Sequence, residues 1–157
     1  MAVELTILVG TMTSTAELVA QAVQLATEED GVRIGIMPMD GLDAGVFAGG
    51  GLYLICTSTY GQGDVPDNAK ALYASLQSAR PDLSGVEYGV IALGDRTYAE
   101  TYNFGGKRFD EILTSLGAER IGERYTNDAS SGTLPEEIAV EWAQSWVERV
   151  REAYSAA

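Results

Sequence analysis

The run Leu52-Tyr53-Leu54-Ile55-Cys56 is apolar from end to end and stops abruptly in Thr57-Ser58-Thr59-Tyr60-Gly61-Gln62-Gly63-Asp64, after which Pro66 starts a helical pattern. A strand with no polar alternation has to be covered on both faces, as strands of a parallel sheet are. Leu5 to Val9 and Tyr88 to Leu93 have the same character, and each also empties into a polar loop ahead of a helical pattern. Three such strands constrain the fold strongly. They call for β/α units with right-handed crossovers and helices on both faces of one parallel sheet.

The other segments fit around these three. Val32, Ile34 and Ile36 alternate with Arg33 and Gly35, which suits a strand with one wetter face near a sheet edge. Ala118 to Tyr125 is polar and also reads as an edge strand. Helical spacing puts Leu18 or Val19, then Ala22, Val23 and Ala26, on the inner face of a first helix. It predicts a second helix over about Pro66 to Ser78, with Ala69, Leu72, Tyr73 and Leu76 inward. A third is expected from about Tyr102 to Leu116, although Gly105 and Gly106 weaken its first turns. In the last, opened by Thr133 and Pro135, Ile138, Trp142, Trp146 and Val150 recur at helical intervals and read as core anchors. A helical turn is expected around Leu42 to Phe47. Five β/α units result, in a single domain over residues 1–157.

Composition narrows the chemistry. The chain has no histidine, which excludes a histidine general base and histidine-ligated metal. Cys56 is the only cysteine and lies within a strand, so a reducing, cytoplasmic setting is expected and a disulfide framework is not. A formal charge of −13 opposes nucleic acid and anionic membranes; it either favours a partner with a basic face or serves solubility alone. No apolar stretch approaches membrane-spanning length.

Three loops carry the candidate site. Thr11, Met12, Thr13, Ser14, Thr15 and Ala16 place hydroxyls and backbone N–H groups at a helix N-terminus, where an anion is stabilised without any Lys or Arg. Ser14-x-x-Glu17 also fits a capping box, a purely local role for the same residues. The glycine spacing of a dinucleotide site and the Gly-Lys-Ser/Thr of a nucleotide P-loop are both missing. The second and third loops each bring a tyrosine near the end of a central strand: Tyr60, and Tyr98 or Tyr102. Two aromatic rings on neighbouring loops can sandwich a planar, phosphate-bearing redox cofactor.

Gly10-Thr11-Met12-Thr13-Ser14-Thr15-Ala16-Glu17, Thr57-Ser58-Thr59-Tyr60-Gly61-Gln62-Gly63-Asp64 and Leu93-Gly94-Asp95-Arg96-Thr97-Tyr98 resemble the three flavin mononucleotide (FMN) loops of flavodoxins. The likeness extends over essentially the whole chain. Leu116-Gly117-Ala118-Glu119-Arg120 is similar to the segment after the fourth helix in the FMN domains of diflavin reductases. The last strand runs without a long insertion, as in short-chain flavodoxins, and the terminal acidic helix with its tryptophan pair is similar to that of the MioC-type members.

The resemblance implies a flavodoxin-like, doubly wound α/β fold with strand order 2-1-3-4-5. It implies that Thr11 to Ala16, with Ser58, hold the phosphate, that Tyr60 stacks on the inner face of the ring, and that Tyr98 stacks on the outer face. Backbone groups of Thr59, Gly61, Asp95 and Tyr102 would address the ring's polar edge, with Leu93 and Gly94 leading into the third loop. Ser14, where a glycine is common, and Arg96 beside Asp95 depart from the family pattern. The implied function is a monomeric one-electron carrier without substrate turnover, served by a basic-faced NADPH-dependent flavodoxin reductase. It would pass electrons to an acceptor enzyme, and the MioC likeness points to biotin synthesis. An NAD(P)H-dependent flavin reductase on this fold needs a nicotinamide pocket that an outer-face Tyr98 would block. A non-redox interaction domain is a further alternative. A phospho-acceptor receiver domain needs clustered aspartates after the first strand, and Leu5 to Thr11 has none.

Overall fold

The computed structural model describes residues 3–10, 15–27, 32–39, 42–47, 50–58, 67–94, 104–122, 125–128 and 135–156. The strands are β1 (Val3–Gly10), β2 (Val32–Pro38), β3 (Gly51–Ser58), β4 (Val86–Gly94), β5 (Glu119–Arg120) and β6 (Tyr125–Asp128). The helices are α1 (Thr15–Thr27), α2 (Asp67–Ala79), α3 (Phe104–Ser115) and α4 (Pro135–Ala156). All ladders are parallel, in the order β2-β1-β3-β4, with β5 and β6 both pairing the far side of β4. They form one fifth strand in two pieces, so the expected order 2-1-3-4-5 holds.

Side-chain alternation divides the core into two layers. Leu5, Ile7, Val9, Leu52, Leu54, Cys56 and Ile91 face α1 and α4, packing on Val19, Val23, Trp146 and Val150. Leu8, Ile55, Tyr88 and Val90 face α2 and α3, against Leu72, Leu76, Phe109 and Leu113. Each central strand is thus buried on both sides, as its unbroken apolar run requires. In β2, Val32 and Ile34 are buried while Arg33 and Gly35 are exposed, which is the pattern of an edge.

Several sequence expectations are refined. Of Leu18 and Val19, only Val19 turns inward; Leu18 is 52% exposed, and Ala26 is exposed rather than buried. Residue 27 takes the place expected for Ala26: Thr27 is buried, with its hydroxyl donating to the Val23 carbonyl. A 3-10 turn over Ala44–Phe47 occupies the predicted helical turn and buries Phe47. Helix α3 begins at Phe104 and runs through both glycines. The polar strand expected over Ala118 to Tyr125 is interrupted after Arg120 and resumes at Tyr125. No described helix is long and apolar enough to cross a membrane.

Candidate functional site

In an open α/β sheet, ligands bind beyond the carboxyl ends of strands where the chain reverses its direction of travel across the sheet. Here that point lies between β1 and β3, because the chain passes from β1 outward to β2 and then returns to β3. The strand ends are level with one another. Gly10 pairs with Thr57, Ser58 with Leu93, and Leu93 and Gly94 with Asn127 and Asp128. Adjacent strands are about 4.8 Å apart, so the three segments that leave Gly10, Ser58 and Gly94 start within roughly 10 Å of one another.

Of the predicted site residues, Thr15 and Ala16 form the first turn of α1, Ser58 ends β3, and Leu93 and Gly94 end β4. The sheet brings these strand ends together at one rim. Thr11, Met12, Thr13, Ser14, Thr59, Tyr60, Gly61, Asp95, Tyr98 and Tyr102 lie outside the described residues. α1 starts five residues after the end of β1, so its positive dipole end belongs to the same rim. The first N–H groups of α1 lack intrahelical acceptors, so α1 offers this rim neutral backbone donors. Such donors suit a phosphate.

Close packing supports the rim from beneath. A Cβ added at Gly10 would lie 2.7 Å from Thr57 Oγ1, 3.1 Å from Met39 Sδ and 3.2 Å from Ala69 Cβ. A side chain at residue 10 would therefore force Thr57 to shift. Thr57 is fully buried. Asn127 and Asp128 also reach the rim, by backbone pairing. Sequence does not place them there because a polar strand does not reveal its own register. A cavity of about 230 Å³ lined by Phe47, Gly50, Pro81, Leu83 and Val86 lies at the opposite, amino-terminal end of β3 and β4, away from the predicted site residues that are described.

Cys56 sits one residue before Thr57, wholly buried, and loss of solvation pushes its thiol up to about 12 from the usual 9.0. Such a thiol is a packing group and not a nucleophile. Since its folded pKa exceeds its unfolded one, its contribution to stability is complete below about pH 9 and fades as pH climbs toward 12. Burial and a hydrogen bond to Asp110 push the Tyr88 phenol upward as well, which adds to the same alkaline loss. The urea midpoint is expected to fall between about pH 8 and pH 10.5, less steeply in Cys56→Val, with no alkylation of Cys56 in folded protein at about pH 8. Prompt labelling, or a flat profile, would contradict the burial.

Residues 7–142 match the model of the flavodoxin family. The protein MioC of Escherichia coli (strain K12) is 33% identical over 144 residues, covering 92% of this chain and 96% of that one. The sulfite reductase [NADPH] flavoprotein alpha-component of Vibrio parahaemolyticus is 36% identical over 158 residues, covering 97% of this chain and 24% of that protein. Among solved structures, a flavodoxin from Pseudomonas aeruginosa carrying a cysteine-to-alanine mutation superposes with a TM-score of 0.83 at 32% identity, covering 94% of this chain and 99% of the other. By sequence and by sheet order, the chain belongs to the flavodoxin family.

Proposed function

We propose that the protein is an FMN-binding one-electron carrier, taking low-potential electrons from a reductase and delivering them to an acceptor enzyme. The observation that carries this reading is the common rim of Gly10, Ser58 and Gly94, from which all three flavodoxin-like loops depart. FMN supplies the electron chemistry; the chain supplies binding, shielding and charge. The hydroxyls and N–H groups of residues 11–16, with Ser58, hold the phosphate at the start of α1. Tyr60 and Tyr98 cover the two faces of the ring and keep water from it.

A peptide carbonyl next to Gly61 would turn to accept a hydrogen bond from N5–H of the bound ring. Glycine permits that turn without Cβ strain, and the new hydrogen bond contributes about 1 kcal/mol. Asp64, Asp67, Asp95 and Glu100 oppose a second negative charge nearby, which keeps the carrier at low potential. With Asp128, Glu136 and Glu137, several of these acids form a docking face for Lys and Arg on the partner. The MioC likeness makes an enzyme of biotin formation the first acceptor to try. The sulfite reductase likeness, confined to a quarter of that protein, makes an NADPH-dependent flavoprotein the first donor.

An absorbance spectrum of purified protein tests the reading: flavin bands with quenched emission are expected. Mixing holo-protein with NADPH alone separates a carrier from a reductase, since direct bleaching would favour the enzyme. Electron-transfer rates with a reductase are expected to fall steeply as salt rises from low to physiological ionic strength. Rates indifferent to salt would remove the acidic docking face from the account.

A further inference from the structure

The fifth strand is paired with β4 in two stretches that do not share a register. Glu119 and Arg120 pair with Glu87 and Tyr88, and Tyr125 to Asp128 pair with Ile91 to Gly94. Between the two stretches β4 has two residues, Gly89 and Val90, while the fifth strand has four, 121–124. A strand that slides by two residues keeps every side chain on its own face, so apolar alternation does not choose between a straight ladder and this bulged one. Something else has to hold the surplus in the middle.

A cluster of polar groups between α3 and the fifth strand does so. The Tyr88 hydroxyl donates to Asp110 Oδ1 at 2.6 Å and lies 2.6 Å from Thr114 Oγ1. The Arg120 guanidinium pairs with Asp110 Oδ2, and its Nε donates to the Gly122 carbonyl at 3.0 Å. The Ile121 N–H donates to the Tyr88 carbonyl at 2.8 Å. Tyr88 and Arg120 are direct cross-strand partners, and the Asp110 that joins them is 4% exposed. Arg120 is 37% exposed and only the carboxylate is buried, so solvent screens the attraction while desolvation of Asp110 offsets part of it, and the pair is a poor source of net stability. What this one supplies is a choice of register: Arg120 meets the Asp110 carboxylate from its place beside Tyr88, and its bond to the Gly122 carbonyl fixes the chain just after that pairing.

We propose that Tyr88, Asp110 and Arg120 are positioning residues that lock the register of the fifth strand and so keep Asn127 and Asp128 beside Leu93 and Gly94, at the root of the third loop. The consequence for ligand binding rests on the FMN reading above; the register itself does not.

The test is the full chain carrying Tyr88→Phe, Asp110→Leu and Arg120→Met. Its urea midpoint is expected to match or exceed that of the wild type. Amide exchange at Asn127 and Asp128 is nevertheless expected to quicken by about tenfold or more, with a second set of cross-strand NMR contacts to β4, and FMN binding to weaken. A folded variant with one register, wild-type exchange and unchanged FMN affinity would overturn the lock, whatever its stability. Should the triple variant not fold, Arg120→Lys decides: a point charge cannot serve both acceptors, so exchange at Asn127 and Asp128 should still quicken, and unchanged exchange overturns the proposal. If wild-type protein does not bind FMN, the carrier reading fails while the exchange measurements still judge the lock.

Discussion

Trp146→Ala is expected to lower the free energy of unfolding by ~3–5 kcal/mol, the usual range for deleting a large buried aromatic ring. Trp146 is 3% exposed, stacks on Trp142 at 5.9 Å, and donates its indole N–H to the Ile121 carbonyl at 2.8 Å. Alanine removes the ring that joins α4 to the sheet and takes away that donor at the bulge of the fifth strand. Trp146→Phe keeps most of the volume and loses the hydrogen bond, so about 1 kcal/mol of its cost should come from the bond. Chemical denaturation of the three proteins measures both. A loss below ~1 kcal/mol in Trp146→Ala would mean that α4 is not anchored through this ring.

Gly89→Val should be the other severe substitution, though valine is the better strand former. A Cβ at Gly89 would lie 2.6 Å from Trp146 Cε2 and 2.7 Å from Cζ2, closer than carbon atoms tolerate. β4 is held by β3 on one side and by β5 and β6 on the other, so its backbone cannot retreat. Overpacking of this kind costs ~1–3 kcal/mol, and the rigid surroundings place it at the upper end. The two substitutions should couple: with Trp146 already alanine, the valine fills vacated space and its penalty should vanish or reverse. A double-mutant cycle with additive effects would show that the glycine is not there to admit the indole.

The sequence pattern is most informative where burial is two-sided. Leu5 to Val9, Leu52 to Cys56 and Tyr88 to Leu93 are legible as central strands because a run so nearly free of polar residues has few other uses. The edge character of Val32 to Ile36 is equally plain from its alternation. The strand order comes from the family resemblance. Sequence leaves the choice between Leu18 and Val19 open because helical spacing fixes a stripe only to within a residue; contact with α4 and the sheet settles it for Val19.

The fifth strand is the least legible element. Its bulge leaves no apolar signature, and a single glycine in a polar stretch, Gly122 with φ of 73°, is an ambiguous sign. The Tyr88, Asp110 and Arg120 cluster is invisible in the sequence for a related reason. An aspartate in the middle of a charged helix reads as a solvated residue until the neighbouring strand is placed beside it. Both tryptophans read as core anchors from their spacing. Trp146 is one, while Trp142 is only partly buried between Trp146 and Tyr125. For the site, the three loops are marked by what flanks them, and the sheet brings their strand ends to one rim.

The most direct test of the central claim is a titration of the purified chain with FMN, followed by flavin emission and by calorimetry. Saturable quenching and heat release at one FMN per chain are expected. Tyr60→Ala and Tyr98→Ala should each weaken binding by about tenfold or more, the worth of one stacked ring at ~1–3 kcal/mol. Emission that stays at the level of free FMN, with no heat on mixing, would contradict that claim.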